Sequence, residues 1–250
     1  MAKNVLTKLI SEPLCGANTV KVTIDPGDGN LTIDSLTGGV PVLASGTLEY
    51  LESQDLPIRS VNTNNGQAAL TLKASTGKQS WFRLPWAACN GATNWQVHLN
   101  PTVIADINAH SNGGNIRLDL ASLQVTRVAV DNGGGNLDVT LPEHAANLDV
   151  MAKTGGGGVL VAVGRLTGSN QIQATSGAGN VDISLPASTA ARIHATSGMG
   201  KVMIDPCFSQ IDKTTYQSPD YDHAADRVEI TAKSGAGNVT VRTKVTASRG

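Results

Sequence analysis

The sequence predicts an all-β protein: a single-stranded β-solenoid (β-helix) with coils of about 21–22 residues and a more decorated N-terminal part. Three observations carry that expectation. A glycine turn recurs at a nearly fixed interval. Each recurrence sits between short runs in which every second residue is apolar. The composition is rich in glycine and poor in charge and aromatics, with 27 Gly, 16% charged and 3% aromatic residues in 250.

The anchor glycines are Gly114, Gly135, Gly157, Gly179, Gly200 and Gly237, separated by 21, 22, 22, 21 and 37 residues. The last interval is one repeat plus an insertion. Two positions after each anchor stand Ile116, Leu137, Val159, Val181, Val202 and Val239. Four positions after it stand Leu118, Val139, Val161, Ile183, Ile204 and Val241. Ile107, Val128, Val150, Ile172, Ile193 and Ile230 fall seven positions before it, and a small Ala or Val five before. Alternation with period two means strands that bury one face. One such coil cannot bury its apolar face alone, so coils stack and share a continuous core. A propeller blade needs roughly 40 residues and does not fit this interval. The anchor glycines are expected to supply positive φ in the turns. Leu141-Pro142, Leu185-Pro186 and Asp205-Pro206 end strands, because proline removes a ladder donor. Asn115, Asn136, Asn180 and Asn238 follow their anchors and predict a structural amide ladder along the stack.

In chain order, residues 1–17 read as an N-terminal arm and 18–100 as decorated coils or a cap of hairpins. Residues 101–250 read as regular solenoid with a loop insertion at 207–224. Val20 to Asp34 already contains the unit, with Gly29 as anchor. Gly29 to Gly114 spans 85 residues, close to four repeats. The insertion carries Phe208, Tyr216 and Tyr221, lacks the alternation and reads as a solvated loop. The last coil, Val228 to Thr243, keeps the pattern almost to the chain end and predicts an open strand edge. Such an edge templates pairing, so end-to-end self-association into a homo-oligomer or filament is expected. Lys233, Arg242, Lys244 and Arg249 oppose it.

The chemistry the sequence allows is narrow. A net charge of −1 lacks the basic excess of a nucleic-acid-binding domain. No stretch approaches the ~18 apolar residues of a membrane span. Ser11, Glu12 and Pro13 break the only apolar run near the N-terminus, so no signal-peptide core is expected and the chain reads as cytoplasmic as written. Cys15, Cys89 and Cys207 form no cluster, which disfavours zinc and a disulfide framework and predicts buried or semi-buried thiols. The glycine loops lead into strands rather than helices, which argues against phosphate or dinucleotide cofactors. Calcium β-rolls repeat every nine residues and do not match. Asp138 and Asp182 share an outward column with Leu160 between them, about 9.6 Å apart for two coils. That is the far edge of inverting-glycosidase geometry, so a polysaccharide-active enzyme ranks last. None of the five histidines, His98, His110, His144, His194 and His223, has a Ser or Cys beside it by periodicity. No catalytic, cofactor or metal residue emerges. The candidate interaction surface is aromatic: Trp81, Trp86 and Trp95 in the decorated part, Tyr216 and Tyr221 in the insertion.

The Val20–Asp34 unit, Thr47-Leu48-Glu49-Tyr50 and Trp95 to Pro101 together resemble bacterial toast-rack and putative-adhesin β-solenoid families. So do Asn112 to Leu120, and Gly133 to Pro142 with its later copies. These families include the C-terminal region of LiaF-type envelope-stress proteins. The resemblance covers nearly the whole chain from about residue 18. It implies a β-solenoid, a bacterial source and an envelope or extracellular role, and it offers no catalytic residues. The expected function is therefore a non-enzymatic structural or adhesive scaffold. The alternative is an envelope-stress sensor or glycan-binding module using the tryptophan-bearing loops. An exposed tryptophan platform would favour that alternative, and burial of the tryptophans would favour the scaffold.

Overall fold

The structure, a computed structural model, describes residues 4–39, 41–75 and 93–244. Those residues form strands and turns with no helix. In chain order the strands are β1 (Val5–Pro13), β2 (Thr19–Asp25), β3 (Asn30–Ser35), β4 (Val42–Leu51), β5 (Ile58–Asn64), β6 (Gln67–Lys73), β7 (Asn94–Leu99) and β8 (Ile104–Ser111). Then come β9 (Ile116–Asp119), β10 (Gln124–Asn132), β11 (Leu137–Thr140), β12 (Ala145–Ala146), β13 (Asp149–Thr154), β14 (Val159–Ala162), β15 (Leu166–Thr167) and β16 (Ser169–Ser176). The last are β17 (Val181–Pro186), β18 (Ala190–Ser197), β19 (Val202–Ile204), β20 (Ser209–Gln210), β21 (Thr215–Gln217), β22 (Arg227–Ser234) and β23 (Val239–Lys244).

Two long sheets result. Sheet A has the order β1-β4-β7-β3-β9-β11-β14-β17-β23-β19 and sheet B the order β20-β21-β18-β22-β16-β13-β10-β8-β2-β6-β5. Most neighbours are parallel, as a stack of coils requires. The expected columns hold. Ile116, Leu137, Val159, Val181, Val239 and Val202 stand in one cross-strand row, and the first five are buried. One hydrophobic cluster runs from Ile10 to Val241, so arm, decorated part and regular coils share a core.

The order of the coils is not the order of the chain. The last coil, β22–β23, lies between coil β16–β17 and coil β18–β19. The expected open edge at the C-terminal coil is therefore absent. At the other end the first coil, β2–β3, is likewise one place in, with β6–β7 outside it. Gly29 and Gly114 belong to adjacent coils, and the residues between them supply one coil plus the antiparallel strands β4 and β5. Among the described residues this interval supplies one coil and not the four repeats that its 85 residues suggest. The arm contributes β1, which adds to β4 as the edge of sheet A.

The anchor glycines have ordinary φ; positive φ is found at Gly16, Gly27, Gly38, Gly39, Gly66 and Gly168. Their requirement is close approach. A Cβ on Gly179 would overlap the carbonyl of Gly157 in the coil beneath, and one on Gly237 would overlap that of Gly179. Beside this stack runs a polar column that the alternation did not reveal: Ser111, Asn132, Thr154, Ser176, Ser234 and Ser197, each three residues before an anchor. Ser176, Ser234 and Ser197 donate to the anchor carbonyl of the neighbouring coil at 2.7–2.8 Å and accept from their own anchor N–H at 2.8 Å. The buried hydroxyls of Ser176 and Ser234 and the half-buried one of Ser197 thereby satisfy the corner backbone.

The asparagine ladder is also present. Asn30 Oδ1 accepts from Asn115 N, Asn115 Oδ1 from Asn136 N, and Asn136 Oδ1 from Gly158 N, at 2.8–2.9 Å. Gly158 has no side chain and interrupts it. It resumes as Asn180 to Asn238 and Asn238 to Lys201 at 2.8 and 2.9 Å.

Candidate functional site

The three described aromatic candidates, Trp95, Tyr216 and Tyr221, are packed and form no exposed platform. Trp95 is 1% exposed and sits in the inward column of sheet A beside Leu31, its indole N–H donating to Glu49 O at 2.8 Å. Tyr221 is buried beneath the Arg192 guanidinium, 4.4 Å from its ring centroid. Arg192 is held by Asp222 at 2.9 Å and Gln217 at 2.8 Å. Tyr216 is half-buried against the core. The insertion is thus packed structure, with Phe208 also buried. Alternation missed this because these residues pack as a capping hairpin and not as a coil. Trp81, Trp86 and Cys89 lie outside the described residues. The other two thiols are exposed, contrary to expectation. Loss of hydration and the neighbouring Asp205 carboxylate push the Cys207 thiol up to about 11, which leaves it a poor nucleophile.

One histidine does have a serine beside it. Ser45 pairs with His98 across β4–β7, and Asp34 pairs with His98 across β7–β3; His98 Nδ1 contacts the Asp34 carboxylate. Periodicity could not place Ser45, because β4 is an antiparallel addition outside the repeat. The row resembles a Ser–His–Asp arrangement, but Ser45 makes no hydrogen bond to His98. β4 is also paired with β1 on one side and β7 on the other, so nearby backbone N–H groups are spent in the ladder. A nucleophilic site needs those donors for its oxyanion. Asp138, Leu160 and Asp182 stand in register as expected. Among the described residues no group of three or more His, Cys, Asp or Glu side chains could hold a metal ion.

What remains is the outer face of sheet B. One outward row runs Lys21, Asp106, Arg127, Asp149, with Arg127 and Asp149 3.8 Å apart. A second runs Lys73, Asp25, His110, Asp131, Lys153. Between them Thr23, Asn108, Ala129 and Met151 form a neutral row. The small Ala129 leaves a groove of about 450 Å³, bordered by Asp131, His110 and Lys153. At the N-terminal end of the core, Glu12 is 4% exposed and ion-paired with Arg59 at 3.2 Å, and both line an open cavity of about 600 Å³ bordered by β1 and β5.

Stacked parallel coils, a glycine-stacked corner and two outer faces define a β-solenoid. The chain belongs to the family described as the N-terminal domain of toast_rack, DUF2154, whose model matches residues 2–162. Among solved structures, the chain is similar to a putative cell adhesion protein from Clostridium sporogenes ATCC 15579. That pair shares 18% identity and a TM-score of 0.67, over 96% of this chain and 100% of that one. A putative adhesin from Bacteroides fragilis NCTC 9343 matches at 11% identity and a TM-score of 0.33, over 96% and 98% of the two chains. No curated protein matches in sequence. No helix among the described residues is long and apolar enough to cross a membrane.

Proposed function

We propose that the chain is a non-enzymatic structural and adhesive scaffold acting at the bacterial envelope or outside the cell, with the outer face of sheet B as its contact surface. The observation that carries this reading is that face itself. Rows of mixed charge flank a neutral row over four to five strands, held rigid by a continuous core beneath. Such a surface offers many weak polar contacts rather than one deep pocket, which suits adhesion through repeated engagement. The Clostridium protein of the same fold, described as a putative cell adhesion protein, is in keeping with it. The sensor or glycan-binding alternative loses one support, because Trp95 is a core residue. End-to-end joining in this reading runs through sheet A. Both of its edge strands, β1 and β19, point along the parallel direction, so β1 of one copy can extend β19 of another.

The test is retention of bacterial cells under flow on beads coated with the protein. Retention well above uncoated beads is expected, with a loss of at least fivefold for the Lys73→Glu/Lys153→Glu variant. No retention would sink the adhesive reading. Retention unchanged in the variant would sink the assignment of the face.

A further inference from the structure

We propose that residues 225–244 are an exchangeable coil, and that the slot they fill accepts the same segment from a second copy of this chain. The reading does not depend on what the outer face binds.

The slot is made by one continuous stretch. Coil β16–β17 forms one wall and coil β18–β19 the other, joined by residues 187–189 alone. The segment that fills it follows a much longer connection, residues 205–224, which carries the packed hairpin β20–β21. Val228, Ile230, Ala232, Val239 and Val241 are at most 1% exposed there. Both edges of the coil are in register with a wall: Ile230 between Ile172 and Ile193, Ala232 between Ala174 and Ala195, Ser234 between Ser176 and Ser197.

Two features send the segment into the slot rather than onto the end of the stack. The hairpin β20–β21 occupies the outer edge of β18, pairing Tyr216 with Ile193 and Thr215 with His194. The Asp205 carboxylate then latches the segment's end, accepting from Thr243 Oγ1 at 2.7 Å, Thr243 N at 3.1 Å and Cys207 N at 3.1 Å.

A segment supplied by a second copy would make the same backbone ladder, the same Ser234–Gly179 bond and the same Asp205 latch. Exchange of an identical element between protomers costs little for this reason, and strand addition to a sheet edge is an established mode of recognition. The difference between the two states lies in the connection. Within one chain the segment is covalently connected to its slot, which gives it a high effective concentration, on the order of mM for linked elements. The segment's own chain therefore fills the slot in dilute solution, and exchange is populated where copies are held at comparable density.

The test uses full-length protein with Cys15, Cys89 and Cys207 replaced by Ser. Thr175 and Lys233 are direct neighbours across β16–β22. Thr175→Cys and Lys233→Cys are made in separate chains, mixed at low and at near-millimolar concentration, and oxidised. Exchange produces a disulfide-linked heterodimer at high concentration, at least fivefold above either variant alone. Asp205→Ala raises its rate of formation at least threefold. End-to-end joining never brings these positions together, so a filament without the crosslink overturns the proposal and leaves the scaffold reading standing. With both substitutions in one chain, the disulfide closes within that chain at low concentration. Failure of that closure means the register is wrong and overturns the proposal. Equal yields of heterodimer and of either variant alone after co-refolding from denaturant would overturn it too.

Discussion

The Ser197 hydroxyl donates a 2.8 Å hydrogen bond to the carbonyl of Gly237, forty residues further along the chain. Ser234 in turn donates to Gly179, fifty-five residues back, at 2.8 Å. These bonds record the inverted order of the last two coils, and several expected outcomes follow from the stack that they close.

The corner glycines are needed for space. Gly179→Ala should cost several kcal/mol, since its methyl group overlaps backbone that two ladders hold in place. At Gly134 a Cβ would meet nothing closer than Gly113 Cα at 3.8 Å. Gly134→Ala should change stability by no more than about 0.5 kcal/mol. Urea denaturation of the two variants distinguishes close approach from a general need for turn flexibility.

The asparagine ladder can be completed. A Cβ on Gly158 meets only Asn180 O at 3.5 Å and Asn136 Oδ1 at 3.7 Å. Gly158→Asn would then present an acceptor to the Asn180 N–H and lower the entropy of the unfolded chain. A gain of about 0.5–1.5 kcal/mol is expected. Destabilisation in a chemical melt would mean that the gap in the ladder is required.

The inward and outward columns should respond oppositely. Val181 is fully buried, so Val181→Asp places an unpaired carboxylate between coils at a cost of several kcal/mol. Asp182→Ala, on the outer face, should cost within about 0.5 kcal/mol. Equal losses would mean the side assignment of β17 is wrong.

Trp95 belongs to stability and not to recognition. Trp95→Ala should cost about 3–5 kcal/mol and leave bead retention of any remaining folded protein unchanged.

The Asp205 latch is pH-dependent. Its carboxyl is held well below the usual carboxylate range by hydrogen bonds from the Thr243 hydroxyl and from the Cys207 and Thr243 amides. A depressed folded-state value means the stabilisation is complete above the unfolded value of about 3.9 and fades as pH falls towards the folded value. Hydrogen exchange at the Thr243 amide should therefore accelerate below about pH 4 beyond its intrinsic pH dependence. In Asp205→Asn that extra acceleration should be missing.

The columns and the ladder were legible in the sequence because both are local. Ile116, Val159 and Val181 each stand two residues from a glycine whatever lies above them. The spatial order was not legible, for the same reason. Ile193 and Ile230, Ala195 and Ala232, and Val202 and Val239 occupy identical columns, so alternation cannot say which coil rests on β16. The hairpin that decides it has no repeat. Ser45 beside His98, and Trp95 beside Leu31, depend on strands added across the sheet after a long excursion. The serine column was within reach, since a small hydroxyl or amide residue precedes each of the six anchors from Gly114 on by three.

The interior position of β22–β23 also bears on how the protein is made. A solenoid that stacked in chain order could settle coil by coil behind the ribosome. Here the wall β18–β19 is synthesised before the coil that separates it from β16–β17, so the stack cannot close until residues 225–244 have emerged. A chain cut short before them would carry two facing, unfilled parallel edges. Such edges are suited to capture by chaperones or to pairing with other chains. Placing this coil inside makes synthesis of residues 225–244 a condition for closing the stack.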